Sequence, residues 1–259
     1  MKDTPDLSEM RRKRIAEIVE RRGSVAVRDL CDELGRSEAT IRRDLRALGK
    51  QGLVARTHGG VMAKTSAASD LPNEERKMIG WEEKIRIAQA AIDILNGDEV
   101  VFLDSGTTAL AVAECAGQKP GCRYVTTSLG VAKRLKANNI PDFYMIGGRY
   151  LPVNDSFVGS VAISGLRSLT FDVAFLCCSA VNLERACIEI ADEMYALIQK
   201  EALASSRKRY VIADHRKFET YAFTRTAGFD EIDGIITNKE LGESVLGQFK
   251  DIDMEVITA

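Results

Sequence analysis

Between Glu99 and Thr258 the chain passes through a series of short apolar runs, each closed by a polar or glycine-bearing turn. They are EVVFLD (99–104), RYVTT (123–127), DFYMIGG (142–148), FDVAFLCCSA (171–180), RYVIAD (209–214), DGIITN (233–238) and MEVIT (254–258). Near-continuous Val, Ile, Leu and Phe leaves a strand no solvent face, and helical sequence lies between most of the runs. Such strands belong in a parallel sheet covered on both sides. The helix that leads into the series begins near Asn73 or Trp81 and should bury Ile85, Ala88, Ala91, Ile92 and Leu95 before Gly97-Asp98 closes it. No fixed-period repeat or low-complexity tract interrupts the series.

The first 60 residues are organised differently. Ser8 is placed to cap a helix that buries Ile15, Ile18 and Val19 and ends at Gly23. After Ser24-Val25-Ala26-Val27, a second helix from Arg28 to Leu34 offers Leu30, Cys31 and Leu34 to a core. Gly35 turns the chain and Ser37 caps a third helix from Glu38 to Leu48, in which Ile41, Leu45 and Leu48 form one apolar stripe. The other faces carry Thr40, Arg42, Arg43 and Arg46. Leu53 to Gly60 then reads as a short β-ribbon with Arg56, Thr57 and His58 toward its tip. Helix, glycine turn, capped arginine-rich helix and small basic hairpin make the layout of a winged helix-turn-helix reader of DNA. A plain three-helix bundle with solvated arginines is the bland alternative, and the hairpin favours DNA.

Charge divides the same way. Residues 1–60 hold 14 Lys and Arg against 10 Asp and Glu, net +4, and the remainder holds 22 against 28, net −6. A basic head on an acidic body fits one part touching nucleic acid and another that does not. With 45% apolar and 29% charged residues the chain is an ordinary globular protein, and neither a membrane span nor a signal peptide is visible. The six cysteines have no repeating spacing and only His58 and His215 could join them at a metal. Reduced, buried thiols in the cytoplasm are therefore expected, with no metal and no cofactor. The domain division is 1–60 as the DNA-binding head, 61–73 (VMAKTSAASDLPN) as linker, and 74–259 as the α/β domain.

In open α/β sheets ligands bind outside the carboxyl ends of the strands. Asp104-Ser105-Gly106-Thr107-Thr108 places a glycine and hydroxyls at a helix N-terminus, where free N–H groups and the dipole favour an anion. Thr126-Thr127-Ser128 supplies a second hydroxyl-rich end, Gly147-Gly148-Arg149 a third with a forked guanidinium, and Asp214 with His215, Arg216 and Lys217 a fourth. Singly, each reads as a helix cap. Together on one edge they describe a site for a phosphorylated sugar.

The residues also carry a resemblance. Arg36-Ser37-Glu38, TIRRDL (40–45), Leu48, Gly52 and RTHGG (56–60) resemble the N-terminal signature of the DeoR family of bacterial transcriptional regulators. Glu74-Glu75-Arg76, Glu83-Lys84, LDSGTT (103–108), TSL (127–129), GG (147–148), FD (171–172) and DHRKF (214–218) are similar to its effector domain. The resemblance implies a fold in two parts. One is a small, mostly α winged helix-turn-helix domain, and the other a larger Rossmann-like α/β domain related to sugar-phosphate isomerases. It implies a repressor of a carbohydrate operon rather than an enzyme, a double-stranded DNA operator, a phosphorylated sugar effector and a homo-oligomer, dimer or tetramer. By residue chemistry and resemblance together, DNA contacts fall on Arg28, Ser37, Glu38, Thr40, Arg42, Arg43, Arg46, Arg56, Thr57 and His58. Ligand contacts fall on Asp104, Ser105, Gly106, Thr107, Thr108, Ser128, Gly147, Gly148, Arg149, Asp214 and Lys217, with Arg76 and Lys84 as phosphate partners. Departures stand at Arg36 and Gly49 in the head. In the larger domain Thr127 replaces an Asn, Cys178 to Val181 replaces a glycine-bearing end, and Ala186-Cys187-Ile188 replaces Gly-Leu-Thr. Tyr195 stands where a Lys is usual, with Lys200 the nearest amine. The rival reading is a sugar-phosphate isomerase with a DNA head, using Asp104, Asp214, Glu189 or Glu193 as base.

Overall fold

The computed structural model describes residues 7–22, 24–50, 54–56, 60–63, 73–249, 252 and 254–259 of the chain. Two compact units divide it at Ser66 and Ala67.

The first unit contains α1 (Leu7–Arg22), β1 (Ser24–Ala26), α2 (Val27–Leu34), α3 (Glu38–Lys50), β2 (Val54–Arg56) and β3 (Gly60–Ala63). Ile15, Ile18 and Val19 of α1 pack with Leu30 of α2 and with Ile41, Leu45 and Leu48 of α3, all buried. Cys31 and Leu34 are only partly covered. Gly35 adopts the left-handed conformation (φ +59) and returns its N–H to the Cys31 carbonyl, which ends α2 and sets the turn. Ser37 caps α3, its hydroxyl accepting from Thr40 N–H at 3.4 Å. Ser8 does not cap α1. It lies inside the helix, its hydroxyl taking the Arg12 guanidinium at 3.0 Å. Gly23, expected to end α1, is outside the described residues.

The wing is three-stranded, in the order β1-β3-β2, with Val25 opposite Val61 and Val54 opposite Ala63. The segment 61–63, expected to open the linker, is therefore sheet. Val61 is buried in the head's core, an anchorage its small, polar neighbours in the sequence conceal.

The second unit begins with α4 (Asn73–Met78) and α5 (Trp81–Asp93), separated at Gly80. There follow β4 (Val100–Leu103), α6 (Thr107–Cys115), β5 (Arg123–Thr126), α7 (Leu129–Ala137), β6 (Phe143–Met145), β7 (Arg149–Leu151), β8 (Ser156–Val158), α8 (Ser160–Arg167) and β9 (Phe171–Leu176). The chain ends with β10 (Ala180–Asn182), β11 (Cys187–Ile190), α9 (Glu193–Ala204), β12 (Ser206–Ile212), β13 (Thr224–Gly228), β14 (Gly234–Thr237), α10 (Glu243–Leu246) and β15 (Glu255–Thr258). A seven-stranded sheet runs β15-β14-β12-β9-β4-β5-β6, every pairing parallel. All seven apolar runs supply its strands.

Alternating side chains of each strand face opposite layers. Val101 and Leu103 join a core with Ile87, Ala91, Val112, Val131 and Leu135 from α5, α6 and α7. Phe102 joins a second core with Ala162, Leu166, Ala196 and Ile198 from α8 and α9. Cys177 and Cys178, just past β9, fall into opposite cores for the same reason. All six cysteines are free thiols.

Two features depart from the expected series. The run 171–180 is not one strand. It leaves the sheet after Leu176, and Ala180 starts a separate antiparallel sheet, β10-β11-β13. The run 142–148 stops at Met145, and Gly147-Gly148 lead into an antiparallel hairpin, β7 with β8.

Candidate functional site

On the head, Arg28 and Glu38 are exposed, as are Arg43 and Arg46, and none of the three arginines has an ion-pair partner among the described residues. Arg42 differs. Its Nε donates to Glu38 Oε1 at 2.7 Å, so part of its charge is spent along the helix. Ser37 and Thr40 share a hydroxyl–hydroxyl bond of 3.0 Å at the helix start. The Arg56 backbone lies in β2, and Thr57 and His58 lie outside the described residues.

Arg11, unremarkable in sequence, fixes this surface. Its Nε donates to Asp44 Oδ2 at 2.6 Å, tying α1 to α3 with Asp44 only 3% exposed. Asp44→Ala should strand a largely buried guanidinium and cost about 1–3 kcal/mol. Amide hydrogen exchange along α3 should speed accordingly; unchanged protection would show the pair to be ornamental to the head.

In the second unit the chain order of strands reverses at β4. After β4 the chain adds β5 and β6 on one side, then returns to place β9, β12, β14 and β15 on the other. The crevice of such a sheet opens at that switch point, outside the ends of β4 and β9. The loop 104–108 therefore occupies the crevice because of topology.

Within it, Asp104 faces inward. Its Oδ2 accepts from Cys177 N–H at 2.8 Å and from Gln199 Nε2 at 2.7 Å, and its Oδ1 accepts from the Tyr195 hydroxyl. Tyr195 oxygen in turn accepts from Ser105 N–H at 2.7 Å. Burial pushes the Asp104 carboxyl up to about 6, and the Tyr195 and Gln199 hydrogen bonds hold it from rising further. Asp104, expected to touch ligand, thus anchors the loop to α9. Tyr195 and Gln199 stand four residues apart on one helical face, a spacing readable in the sequence once α9 is known to lie against this loop.

Gly106 precedes α6 with φ +125, and a Cβ there would lie 3.1 Å from Cys177 Sγ. Being glycine, it places no side chain over the first turn of α6, whose N–H groups have no partner within the helix. Thr107 and Thr108 are buried beside it. Gly106→Ala should cost about 1–3 kcal/mol in strain and tilt this loop. Binding of any anion in the crevice should weaken at least tenfold by calorimetry, and unaltered binding would remove the loop from the site.

Ser128 behaves as a cap. Its hydroxyl accepts from Val131 N–H at 3.3 Å and donates to the Asp155 carbonyl of the hairpin. The β7–β8 hairpin folds back onto the β5 end, Phe157 N–H meeting the Thr127 carbonyl at 2.8 Å. Three hydroxyls in this region, of Ser105, Thr127 and Ser156, are buried without a hydrogen-bond partner. Sequence reasoning had not singled out Ser156 or Asn154, because nothing local marks the hairpin as part of the edge.

Arg76 Nη2 donates to Asn154 Oδ1 at 3.4 Å and its charge acts on Cys177. Lys84, expected to hold phosphate, is 3% exposed and turned onto the end of α4, donating to the carbonyls of Arg76 at 2.8 Å and Ile79 at 2.6 Å. Its burial lowers the ammonium to about 8 against the opposing pull of Asp214. Burial alone would raise Asp214, but the Arg216 guanidinium, 2.8 Å from Oδ1, together with Lys217 and Lys84, holds it below the ordinary carboxylate range. Arg216 also reaches Glu83 at 2.7 Å, fastening α5 to the β12 end. Lys217 is half-buried and acts on Cys178.

The structure thus brings together Arg76, Lys84, the 104–108 loop, Asp214 and Lys217. Gly147, Gly148 and Arg149 are exposed at the far edge, where β6 passes into the hairpin. Of the other carboxylates, Glu189 is buried and committed to Asn182 Nδ2 at 2.9 Å and Ala222 N–H at 2.8 Å, and Glu193 is exposed in the first turn of α9. Lys200 is exposed, while its buried neighbour Gln199 makes the contact to Asp104, so Lys200 does not take the usual lysine's place.

Comparison with known proteins bears on both units. Residues 11–67 match the DeoR-like helix-turn-helix domain and residues 80–239 the DeoR C terminal sensor domain. The chain is 31% identical over 242 residues to the lactose phosphotransferase system repressor of Lactococcus lactis, covering 92% of this chain and 94% of that one. It is 29% identical over 228 residues to the transcriptional repressor AccR of Agrobacterium fabrum, covering 88% of each. A solved ribose 5-phosphate isomerase A from Methanocaldococcus jannaschii superposes with a TM-score of 0.39 at 15% identity, over 53% of this chain and 54% of its own, a slight likeness. No helix among the described residues is long and apolar enough to cross a membrane. With a basic helix-turn-helix head, a parallel-sheet sensor domain and both family profiles matched, the chain belongs to the DeoR family of transcriptional regulators.

Proposed function

We propose that the chain represses a carbohydrate operon and that a phosphorylated sugar, bound in the crevice, releases or modulates its hold on DNA. The observation that carries this is the loop 105–108 at the switch point, its helix start without a side-chain cap and set against Cys177, on which Arg76 acts, while Lys217 acts on the adjoining Cys178. α3 enters the major groove, Arg43 and Arg46 reaching guanine edges and Thr40 a thymine methyl, while Arg28 and the wing residues Arg56, Thr57 and His58 contact phosphates or the minor groove. The protein works in the cytoplasm as a dimer or tetramer, since a two-fold operator needs two heads. If about 6 phosphates are neutralised per dimer, log K falls with log salt at a slope near −5.

A ligand releases DNA only by binding the free form more tightly, with a coupling of about 1–3 kcal/mol. The test is anisotropy of the full chain on a selected operator while phosphorylated sugars, sugar acids and polyols are titrated in. A change of about 5- to 150-fold with one phosphorylated sugar is expected; no response to any of them would defeat the sensor reading. The rival isomerase reading has less support. Asp104, Asp214 and Glu189 are each engaged by protein donors, which leaves Glu193, exposed in the first turn of α9, as the candidate base. Turnover of whichever ligand is found would reinstate it.

A further inference from the structure

A half-open cavity of about 580 Å³ lies at the other end of α9, lined by the helix's last turn, the middle of β12, β13 and the turn after β13. Lys200, Arg209 and Arg225 line it with one carboxylate, Glu231, a formal surplus of two positive charges. Asp230 and Asp233 lie just outside this lining. Asp233 is taken by the Arg209 N–H at 2.8 Å, and Asp230 is exposed.

The cations are only partly offset, Arg225 pairing with Glu231 and standing beside the Asp230 carboxylate. Arg209 donates from Nε to the Ser206 carbonyl at 3.3 Å and from Nη1 to the Glu231 carbonyl at 3.2 Å, so its guanidinium is oriented by backbone oxygens. Arg225 Nη2 is 3.7 Å from Glu231 Oε2, an oxygen that already accepts the Gly228 N–H at 2.7 Å. Lys200 has no ion-pair partner among the described residues. Thr226, which lines the same cavity, is 4% exposed, and its hydroxyl has no hydrogen-bond partner. The Thr226 hydroxyl is sealed from solvent, but the three gathered cations repel one another, and one anionic ligand relieves that repulsion.

We propose that this cavity is a second ligand site, distinct from the crevice, which takes a small molecule carrying a dianionic phosphate group. Two guanidinium forks and an ammonium match such a group in charge and geometry. The volume falls in the range of small-molecule pockets and exceeds what phosphate alone fills, so a phosphorylated metabolite is the natural occupant. The cavity and the crevice share α9 but no lining side chain. Tyr195, at the crevice, and the last turn of α9, at the cavity, are about 14 Å apart along the helix. The proposal stands whether or not the crevice holds a sugar phosphate.

The test is a titration of the full-length protein, followed by backbone amide shifts, with inorganic phosphate, ribose 5-phosphate and ribose at matched ionic strength. Residues 225–231 should shift with ribose 5-phosphate and not with ribose. A response to inorganic phosphate as well would show that the phosphate group suffices. Lys200→Glu with Arg225→Gln should raise the dissociation constant read at those residues at least tenfold, and Gly106→Ala should leave it unchanged. Trp81 fluorescence confirms folding; should the double variant misfold, Lys200→Ala, at an exposed position, carries the comparison with an expected threefold loss or more. Silence of residues 225–231 with both phosphate probes, or shifts indifferent to the charge variants, would overturn the site.

Discussion

Replacing Arg43 and Arg46 together by Ala lowers affinity for a specific operator by about 2–6 kcal/mol, a loss of about 30-fold or more. Both side chains stand exposed on α3, opposite the buried stripe of Ile41, Leu45 and Leu48, and neither is paired among the described residues. Each is free to spend a full guanidinium on a base edge, and a good bidentate pair is worth about 1–3 kcal/mol. Arg42→Ala should do less, because its guanidinium must first give up Glu38, though an exposed pair of this kind is itself worth under about 1 kcal/mol. Anisotropy on operator and on scrambled DNA at one salt concentration separates the roles. Equal losses on both would assign the arginines to phosphates and leave base reading to other residues.

The second large effect is a pH dependence. Asp104 is fully buried and its carboxyl sits near 6 in the fold, against an ordinary value of 3.8. The folded chain therefore takes up this proton before the unfolded chain does, so stability rises as pH falls from about 7 to about 4 and is lost again as pH climbs through 6. A shift of about two units amounts to about 3 kcal/mol. Other groups push the opposite way, Asp214 among them, being held below the ordinary range. Comparison with Asp104→Asn cancels those shared terms. The wild-type chain should gain up to about 3 kcal/mol relative to Asp104→Asn between pH 7 and pH 4. The single tryptophan, Trp81, lies in α5, so its fluorescence in urea reports this unit without the head. A pH-independent difference would mean that Tyr195, Gln199 and the Cys177 N–H stabilise the carboxylate fully.

This cost at neutral pH bears on function. The three donors hold a charged carboxylate under the 104–108 loop, and their contact sets the loop's position through Asp104 and the Ser105 N–H. Ligand affinity in the crevice should accordingly follow the Asp104 titration.

Much of this was legible because the relevant interactions are local. The stripe of Ile41, Leu45 and Leu48, the Gly35 turn and the Ser37 cap depend on residues within two helical turns, so spacing alone identified the third helix and its buried face. The seven apolar runs likewise announced a two-sided parallel sheet, since no strand with that composition tolerates a wet face. What spacing could not reveal is which polar groups face one another across the fold. Arg11 and Asp44 are 33 residues apart, Asp104 and Gln199 are 95, and Arg76 and Asn154 are 78. Lys84 has the chemistry of a phosphate partner, but the nearest unsatisfied acceptors it meets are the carbonyls ending α4. The sequence by itself determined the small helical head and the layered parallel sheet that follows it, because periodicity and turn chemistry act over a few residues. Only the tertiary structure decided which of the candidate groups turn inward to hold the loop and which remain facing the crevice, because burial and hydrogen-bond partners are set by strand order and helix packing.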